Sequence, residues 1–425
     1  MNRLTVLYHG WGEHWPLGTL AHAGGETVFE YSPEALRHGL ELSPYRLALR
    51  QQAYTGERAL YAGLPGLIAD ALPDGWGLML MDRAFRKAGR DPATISPLDR
   101  LAFIGERAIG ALSFEPATGP SLDAQDVSLL ELAQKIERLT AGASATVLNQ
   151  LVLIGGSPHG ARPKALVNYE RSSGRMSAGG AGGGTPGGTG VGRAPTADAP
   201  GEPWLIKFPA RGEHAEVCAI EELYARLARA CGLDMPASAW FPLSRKLAAF
   251  GVKRFDRDKR MRVPVHTLAG ALHTDFRVPS VDAIDFLRLT RLMTRDMREV
   301  HKAFERCVFN LVFNNRDDHA KNFSYRLTRA RHWQLSPAYD LTFNTGPGGH
   351  HQLAYAGETL APSRAGLLQI AAKGGVDQSA ALESIKHMVA VARRLAHHAE
   401  ALPIRKAALH TIIKAVEANC LRLKR

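Results

Sequence analysis

Apolar and polar residues alternate with a period near two over Leu4–Tyr8, Leu17–Leu20 and Thr27–Tyr31, around a Gly-Trp-Gly turn. This pattern predicts short strands. The period changes after the Pro- and Gly-punctuated run Leu64–Trp76, and Leu78–Lys87 predicts a helix. Leu101–Phe114 should end in a strand, and residues 128–147 read as helix. Ala165–Tyr169, Trp204–Pro209 and Ala248–Phe255 predict further strands. Ala215–Cys231 predicts a helix stopped by Gly232. From Ser280 onward the pattern is mainly helical, clearest in the stripe Val300, Phe304, Val308, Leu311 and Val312. Further helices are expected over about 376–424. Ser172 to Pro200 is nearly all Gly, Ser, Thr, Ala and Pro, too poor in apolar surface to offset its ordering entropy, which predicts a disordered hairpin insertion.

The 425 residues are enough for two to four packing units. With 45% hydrophobic and 22% charged residues, the chain is neither disordered, fibrous nor disulfide-knotted. Lys plus Arg outnumber Asp plus Glu by 53 to 41, a net charge of +12. That balance favours polyanionic partners without choosing among nucleic acid, nucleotide and acidic protein. Cys218, Cys231, Cys307 and Cys420 are scattered without Cys-x-x-Cys spacing, so reduced, buried thiols and a cytoplasmic setting are expected. The first residues lack the apolar core of a signal peptide, and no run of about 18 apolar residues exists to span a membrane.

Asn314–Ser324 is the densest polar cluster and directly follows the apolar helix. Such a loop is a solvated turn, a metal site through Asp317, Asp318 and His319, or a phosphoryl-transfer loop. The third reading rests on Asp317-x-x-x-x-Asn322. Kinases use this spacing for a base and a Mg²⁺-binding amide. Asp340, in Ser336-Pro-Ala-Tyr-Asp340 after the strand-like Trp333–Leu335, is then a second Mg²⁺ ligand. Lys207 stands inside the apolar strand Leu205–Phe208, where a charge needs phosphates or a carboxylate such as Glu221 or Glu222. The glycine-rich turn Gly155–Lys164 lets backbone N–H groups approach phosphates, but it is neither a Walker A loop nor Gly-x-Gly-x-x-Gly.

In this order the segments resemble the HipA family of serine/threonine-protein kinases, the toxins of bacterial toxin–antitoxin pairs. The resemblance spans nearly the whole chain. It is carried by Leu72-Pro-Asp74, Ile104–Leu112, Gly160–Lys164, Trp204–Pro209, Val252–Arg257, Asp317–Ser324 and Leu335–Asp340. It implies an α+β, protein-kinase-like two-lobed fold. Its parts are an N-terminal α/β accessory subdomain (1–120), an N-lobe with phosphate loop and Gly-rich insertion (121–255, insertion about 172–200), and a mainly helical C-lobe (256–425). By this resemblance Asp317 is the catalytic base, and Asn322 and Asp340 hold Mg²⁺. ATP is bound by His159, Gly160, Ala161, Arg162, Pro163, Lys164, Lys207, Lys253, Arg254, Phe255, His319, Ala320, Lys321, Asn322 and Tyr339. Ser157 matches the position of autophosphorylation, although Pro158 stiffens its loop, and Lys253 departs from the acidic or neutral residue expected before Arg-Phe-Asp-Arg.

The resemblance further implies a protein substrate, such as an aminoacyl-tRNA synthetase, and a helix-turn-helix antitoxin through which DNA is touched indirectly. A small-molecule kinase of the aminoglycoside-phosphotransferase type is the rival enzyme. A non-catalytic, DNA-associated corepressor acting through the basic surface is the rival outside enzymes, and a degenerate kinase the third alternative.

Overall fold

The computed structural model describes residues 1–56, 60–120, 128–139, 148, 151–152, 154–156, 158–178 and 201–424. These form two compact units, Met1–Ala215 with Ala239–His266, and Glu216–Ser238 with Thr267–Arg425. The boundaries differ from the sequence segments 121–255 and 256–425. Helix Glu216–Ala230 belongs to the second unit, and the first runs on to His266.

Among the described residues the first unit has two larger antiparallel sheets beside the short pair Arg257–Asp258 and Met261–Arg262. One orders Ala53–Thr55, Glu26–Tyr31, Trp15–Ala23, Arg3–Tyr8 and Leu112–Glu115. Alternate residues Leu4, Val6 and Tyr8 are buried, as period-two patterning requires. The other places Met176–Ala178, Lys164–Tyr169, Glu202–Lys207 and Ala248–Lys253 side by side. Helices Gly75–Lys87 and Pro97–Ile104 complete the accessory part, the second started by the Ser96 side chain accepting from Asp99 N–H.

The expected disordered insertion needs correction at its start. Residues 172–178 form a turn and a strand, with Val167, Asn168 and Tyr169 paired to Ala178, Ser177 and Met176. Backbone pairing with a strand already in the sheet supplies what the poor side chains cannot. Residues 179–200, and the end of the helix expected at 128–147, lie outside the described residues.

The second unit is built on helices Ala283–Thr294, Met297–Val312, Arg364–Gly374, Gln378–Ala392 and Lys406–Lys424, with Glu216–Ala230. Asp282, Asp296 and Asp377 cap three of them by accepting backbone N–H bonds. Val300, Phe304, Val308, Leu311 and Val312 are all buried, as their spacing required. Residues 313–363 interrupt the helices, with the expected loop after Val312 and the expected strand at Trp333–Leu335. They hold the antiparallel pair Ser324–Leu327 and Trp333–Leu335 and long polar loops stabilised by side-chain hydrogen bonds. All four cysteines are free and buried. Among the described residues no helix is long and apolar enough to cross a membrane.

Candidate active site

Helix Met297–Val312 ends at Phe313, and Asn314, at φ +54°, turns the chain out of the helical path. The loop that follows separates two adjacent carboxylates. Asp318 is fully buried and accepts from His351 Nδ1 at 2.7 Å, Tyr355 Oη at 2.6 Å, and the N–H groups of Gln352 at 2.8 Å and Leu353 at 3.3 Å. Asp317 is half-exposed and its Oδ1 accepts from Gln352 Nε2 at 2.7 Å. His319 Nε2 lies 3.9 Å from the same oxygen. Desolvation raises the Asp317 pKa above the ordinary carboxylate range; His319 opposes this, and Asp340 and Asp318 add to it.

Asn322 closes the loop. Its Nδ2 donates to the Asp317 carbonyl at 2.6 Å, so the amide oxygen, not the nitrogen, is the atom that could meet a cation. The turn Ala320–Asn322 is held by Tyr339, whose hydroxyl donates to the Lys321 carbonyl at 2.7 Å. Lys321 is buried with its ammonium 4.6 Å from the centre of the Phe276 ring. The same ring packs 5.2 Å from that of His319, whose Nδ1 is buried without a hydrogen-bond partner among the described residues.

Asp340 is delivered by a rigid approach. Leu335 N–H donates to Glu299 at 2.8 Å, Ser336 N–H to the Ser324 carbonyl at 2.8 Å, and Ala338 N–H to the Asp234 carbonyl at 2.6 Å. The buried Arg306 donates to the Ser336 carbonyl at 2.9 Å, and burial brings its pKa down to about 10. Asp340 itself has φ +53°. That left-handed backbone is uncommon outside glycine, and Asp tolerates it better than most residues. The alternative metal set Asp317, Asp318 and His319 does not converge, because Asp318 is occupied by its four donors.

In the first unit, Gly160 has φ +98°; its N–H donates to Asp74, and its carbonyl accepts from Trp76 N–H at 3.0 Å. His159 Nε2 meets the Leu72 carbonyl at 3.0 Å, and Lys164 Nζ donates to the His159 carbonyl. Arg162 is exposed enough to pair with Glu213 at 3.0 Å, with Ala161 and Pro163 on either side. Lys164 is not a loop residue but the first residue of a strand, directly opposite Lys207 on the neighbouring strand. Both lysines are buried. Directly opposed residues on an antiparallel pair share a face, and like charges there repel.

Lys253 pairs with Glu202. Arg254 is buried and bidentate to Asp256, at 2.8 and 2.7 Å, and Phe255 follows it. Asp256 also accepts from Arg257 at 2.8 Å and Gly110 N–H at 3.0 Å, and its pKa is held far below the usual carboxylate range despite burial. Glu222 accepts from Arg226 at 3.0 Å and Ser238 at 2.7 Å within the second unit, and Glu221 is buried on the same helix. Ser157 lies outside the described residues. A buried chain, Ser43 to His266 at 3.0 Å and His266 to Asp70 at 2.7 Å, has the order of a hydrolase triad, but its serine and histidine are sealed in the core.

Sequence reasoning took Asp318 only as an alternative metal ligand and Asp74 only as part of a motif, and it assigned no role to His351, Gln352 and Tyr355. His351 stood in a conspicuous His-His pair and Asp74 in Leu-Pro-Asp, but Gln352 carried no signal.

Residues 156–400 match the HipA-like C-terminal domain family, and residues 8–115 match the HipA N-terminal domain family. A solved Shewanella oneidensis HipA, in complex with HipB and operator DNA, aligns over 98% of this chain and 97% of its own, with a TM-score of 0.68 and 17% identity. A Haemophilus influenzae protein described as a "Putative kinase" is 26% identical over 148 residues, 31% of this chain. The chain spans 40% of that relative's length. The Helicobacter pylori proinflammatory kinase CtkA aligns over 53% of this chain and 86% of its own, at 10% identity and a TM-score of 0.38.

Proposed function

The chain belongs to the HipA family, with its kinase-like α+β fold, and from that premise we propose that it is an ATP- and Mg²⁺-dependent serine/threonine-protein kinase. The observation that carries this is the arrangement Asp317, Asn322, Asp340. Asn322 is fixed on the Asp317 carbonyl, and the Asp340 carboxylate lies close enough to raise the Asp317 pKa. An amide oxygen and a carboxylate are hard oxygen donors that suit Mg²⁺, which binds few protein ligands and completes its shell with phosphate and water. Asn322 and Asp340 would hold the ion, which neutralises phosphate charge during transfer.

This chain's own residues do the rest. Gln352 and His319 orient Asp317, whose carboxylate accepts the proton of the substrate hydroxyl. Its raised pKa makes it a stronger acceptor than an ordinary aspartate. Lys164 and Lys207 are two buried cations facing each other across one strand pair, an arrangement that polyphosphate stabilises. The unpartnered Nδ1 of His319 supports a ligand-facing role for that side. Lys253 to Phe255 enter the reading as the adenine border, with backbone rather than the Arg254 side chain available for contact, since that side chain is bound to Asp256.

The substrate is a protein hydroxyl, and a helix-turn-helix antitoxin is the proposed partner. Support for the partner is the Shewanella oneidensis relative, which was solved with HipB and operator DNA. The test is incubation with γ-labelled ATP and Mg²⁺, wild type beside Asp317→Asn, with ATP binding followed by calorimetry. ATP binding in both and labelling only in the wild type is expected. Equal labelling by the variant, or no ATP binding by the wild type, overturns the reading. Label on Ser157 would add self-phosphorylation to the activity.

A further inference from the structure

Immediately before Asp317, Arg316 takes part in a second arrangement that phosphoryl transfer as described does not use. Its Nε donates to Asn314 Oδ1 at 3.1 Å. Asn419 Nδ2 donates to that same oxygen at 3.2 Å, and Asn419 Oδ1 accepts from Arg422 at 3.3 Å. Two guanidinium groups are thus joined through two neutral amides. Among the described residues, neither arginine pairs with a carboxylate. Both are half-buried. Arg422 weakens the protonated form of Arg316, next in importance to desolvation, and Asp318 offsets this less strongly. Two adjacent cations with only neutral acceptors favour an anion.

The loop lying against Arg316 contains a threonine hydroxyl. Asn315 and Asn344 form a parallel bridge, with Asn344 N–H to the Asn314 carbonyl at 3.2 Å and Arg316 N–H to the Asn344 carbonyl at 3.3 Å. Thr345 stands between Asn344, whose carbonyl accepts the Arg316 N–H, and Gly346, which lies against the Arg316 side chain. Thr345 is exposed. Gly346, at φ +71°, brings the loop so close that a Cβ there would stand 3.0 Å from the Arg316 Cβ. A Cβ at Gly349 would lie 3.9 Å from the Arg316 Nη1.

The geometry points to a phosphate-monoester site formed by Arg316 and Arg422, filled by phosphorylation of Thr345. The modification joins the threonine Oγ1 to the γ-phosphorus of a nucleoside triphosphate. The β–γ bridging bond breaks, the diphosphate leaves, and the hydroxyl proton passes to water. The phosphate then ties loop 344–350 to the residue that precedes the Asp317 carboxylate and to helix Lys406–Lys424, which carries Arg422.

The test needs no kinase activity from this chain, so failure of the proposed activity leaves it unaffected. Phosphothreonine is installed at position 345 during synthesis of the full chain, and ³¹P NMR follows its second ionisation. Two cations favour the dianion, so the midpoint should fall below its ordinary value near about 6. Arg422→Gln, which keeps a donor for Asn419, should return it by roughly half a unit or more. In parallel, inorganic phosphate is titrated into the unmodified wild type and Arg422→Gln, read by thermal midpoint. A phosphate-dependent rise lost in the variant, beside an ordinary phosphothreonine midpoint, keeps the site and assigns it to a mobile phosphate. An ordinary midpoint with no phosphate-dependent rise overturns the site. Should Arg422→Gln fail to fold, the wild-type midpoint and the wild-type phosphate titration decide alone.

Discussion

The hydroxyl of Tyr355 donates to the carboxylate of Asp318 at 2.6 Å, both groups wholly inside the second unit. One residue away, Asp317 is half-exposed and held through Gln352, whose own N–H also bonds Asp318. A single short segment, 351–355, therefore fixes both the buried carboxylate and the proposed base. Asp318→Asn, which replaces an acceptor of four donors by an amide, should lower stability by about 2–4 kcal/mol. Tyr355→Phe removes one donor and should cost about 1–2 kcal/mol. Denaturant unfolding of the full chain checks the order, and a larger loss for Tyr355→Phe would contradict the role of Asp318 as the hub.

Asp317 behaves in the opposite way. Its native pKa is raised, so the native state holds that proton more tightly than the unfolded chain, and ionisation opposes folding. The penalty is absent below the ordinary carboxylate range and grows as pH rises through the native pKa. Asp317→Asn removes it. At neutral pH the variant should be as stable as the wild type or more so, while phosphoryl transfer falls by about 10²–10⁴-fold. A thermal midpoint that fell together with activity would make Asp317 a structural residue. The wild-type rate should fall on acidification at a higher pH than an ordinary aspartate would give, because the base is lost on protonation.

Asp340 combines a left-handed backbone with the carboxylate expected to meet the cation. Asp340→Gly should retain stability better than Asp340→Ala by about 1 kcal/mol, since glycine reaches positive φ without a Cβ clash. Both substitutions should raise the Mg²⁺ concentration needed for activity by tenfold or more, about 1.4 kcal/mol of lost binding. Titration of Mg²⁺ at saturating ATP measures this, and an unchanged requirement would remove Asp340 from the cation site.

Lys164 and Lys207 face each other directly, and both are buried. Lys207→Met keeps the aliphatic stem and removes one of two repelling charges. The thermal midpoint without nucleotide reads the structural part of the lysine's role, which includes the contact of its ammonium, 5.8 Å from the centre of the Phe250 ring. ATP binding should weaken by about tenfold or more, since a charge-assisted contact is lost. Calorimetry with ATP reads the second effect, and unchanged affinity would assign Lys207 to structure alone.

Local spacing along the chain determined most elements of this fold. The alternation of Leu4, Val6 and Tyr8 and the helical stripe from Val300 to Val312 place apolar side chains on one face whatever the neighbours are. The proposed site residues Asp317, Asn322 and Asp340 were picked out for a related reason: they stand in a few contiguous polar residues at the end of a helix and of a strand. Tertiary structure decided what spacing cannot encode. It chose which of two adjacent aspartates is buried, and it brought 351–355 onto a loop more than thirty residues earlier. It set Lys164 opposite Lys207 through strand register, and it gave residues 176–178 a sheet neighbour that their composition did not foretell. These outcomes depend on hydrogen bonds between residues far apart in sequence. Backbone pairing is indifferent to side-chain identity, so its register was settled only when the sheet and the loops closed.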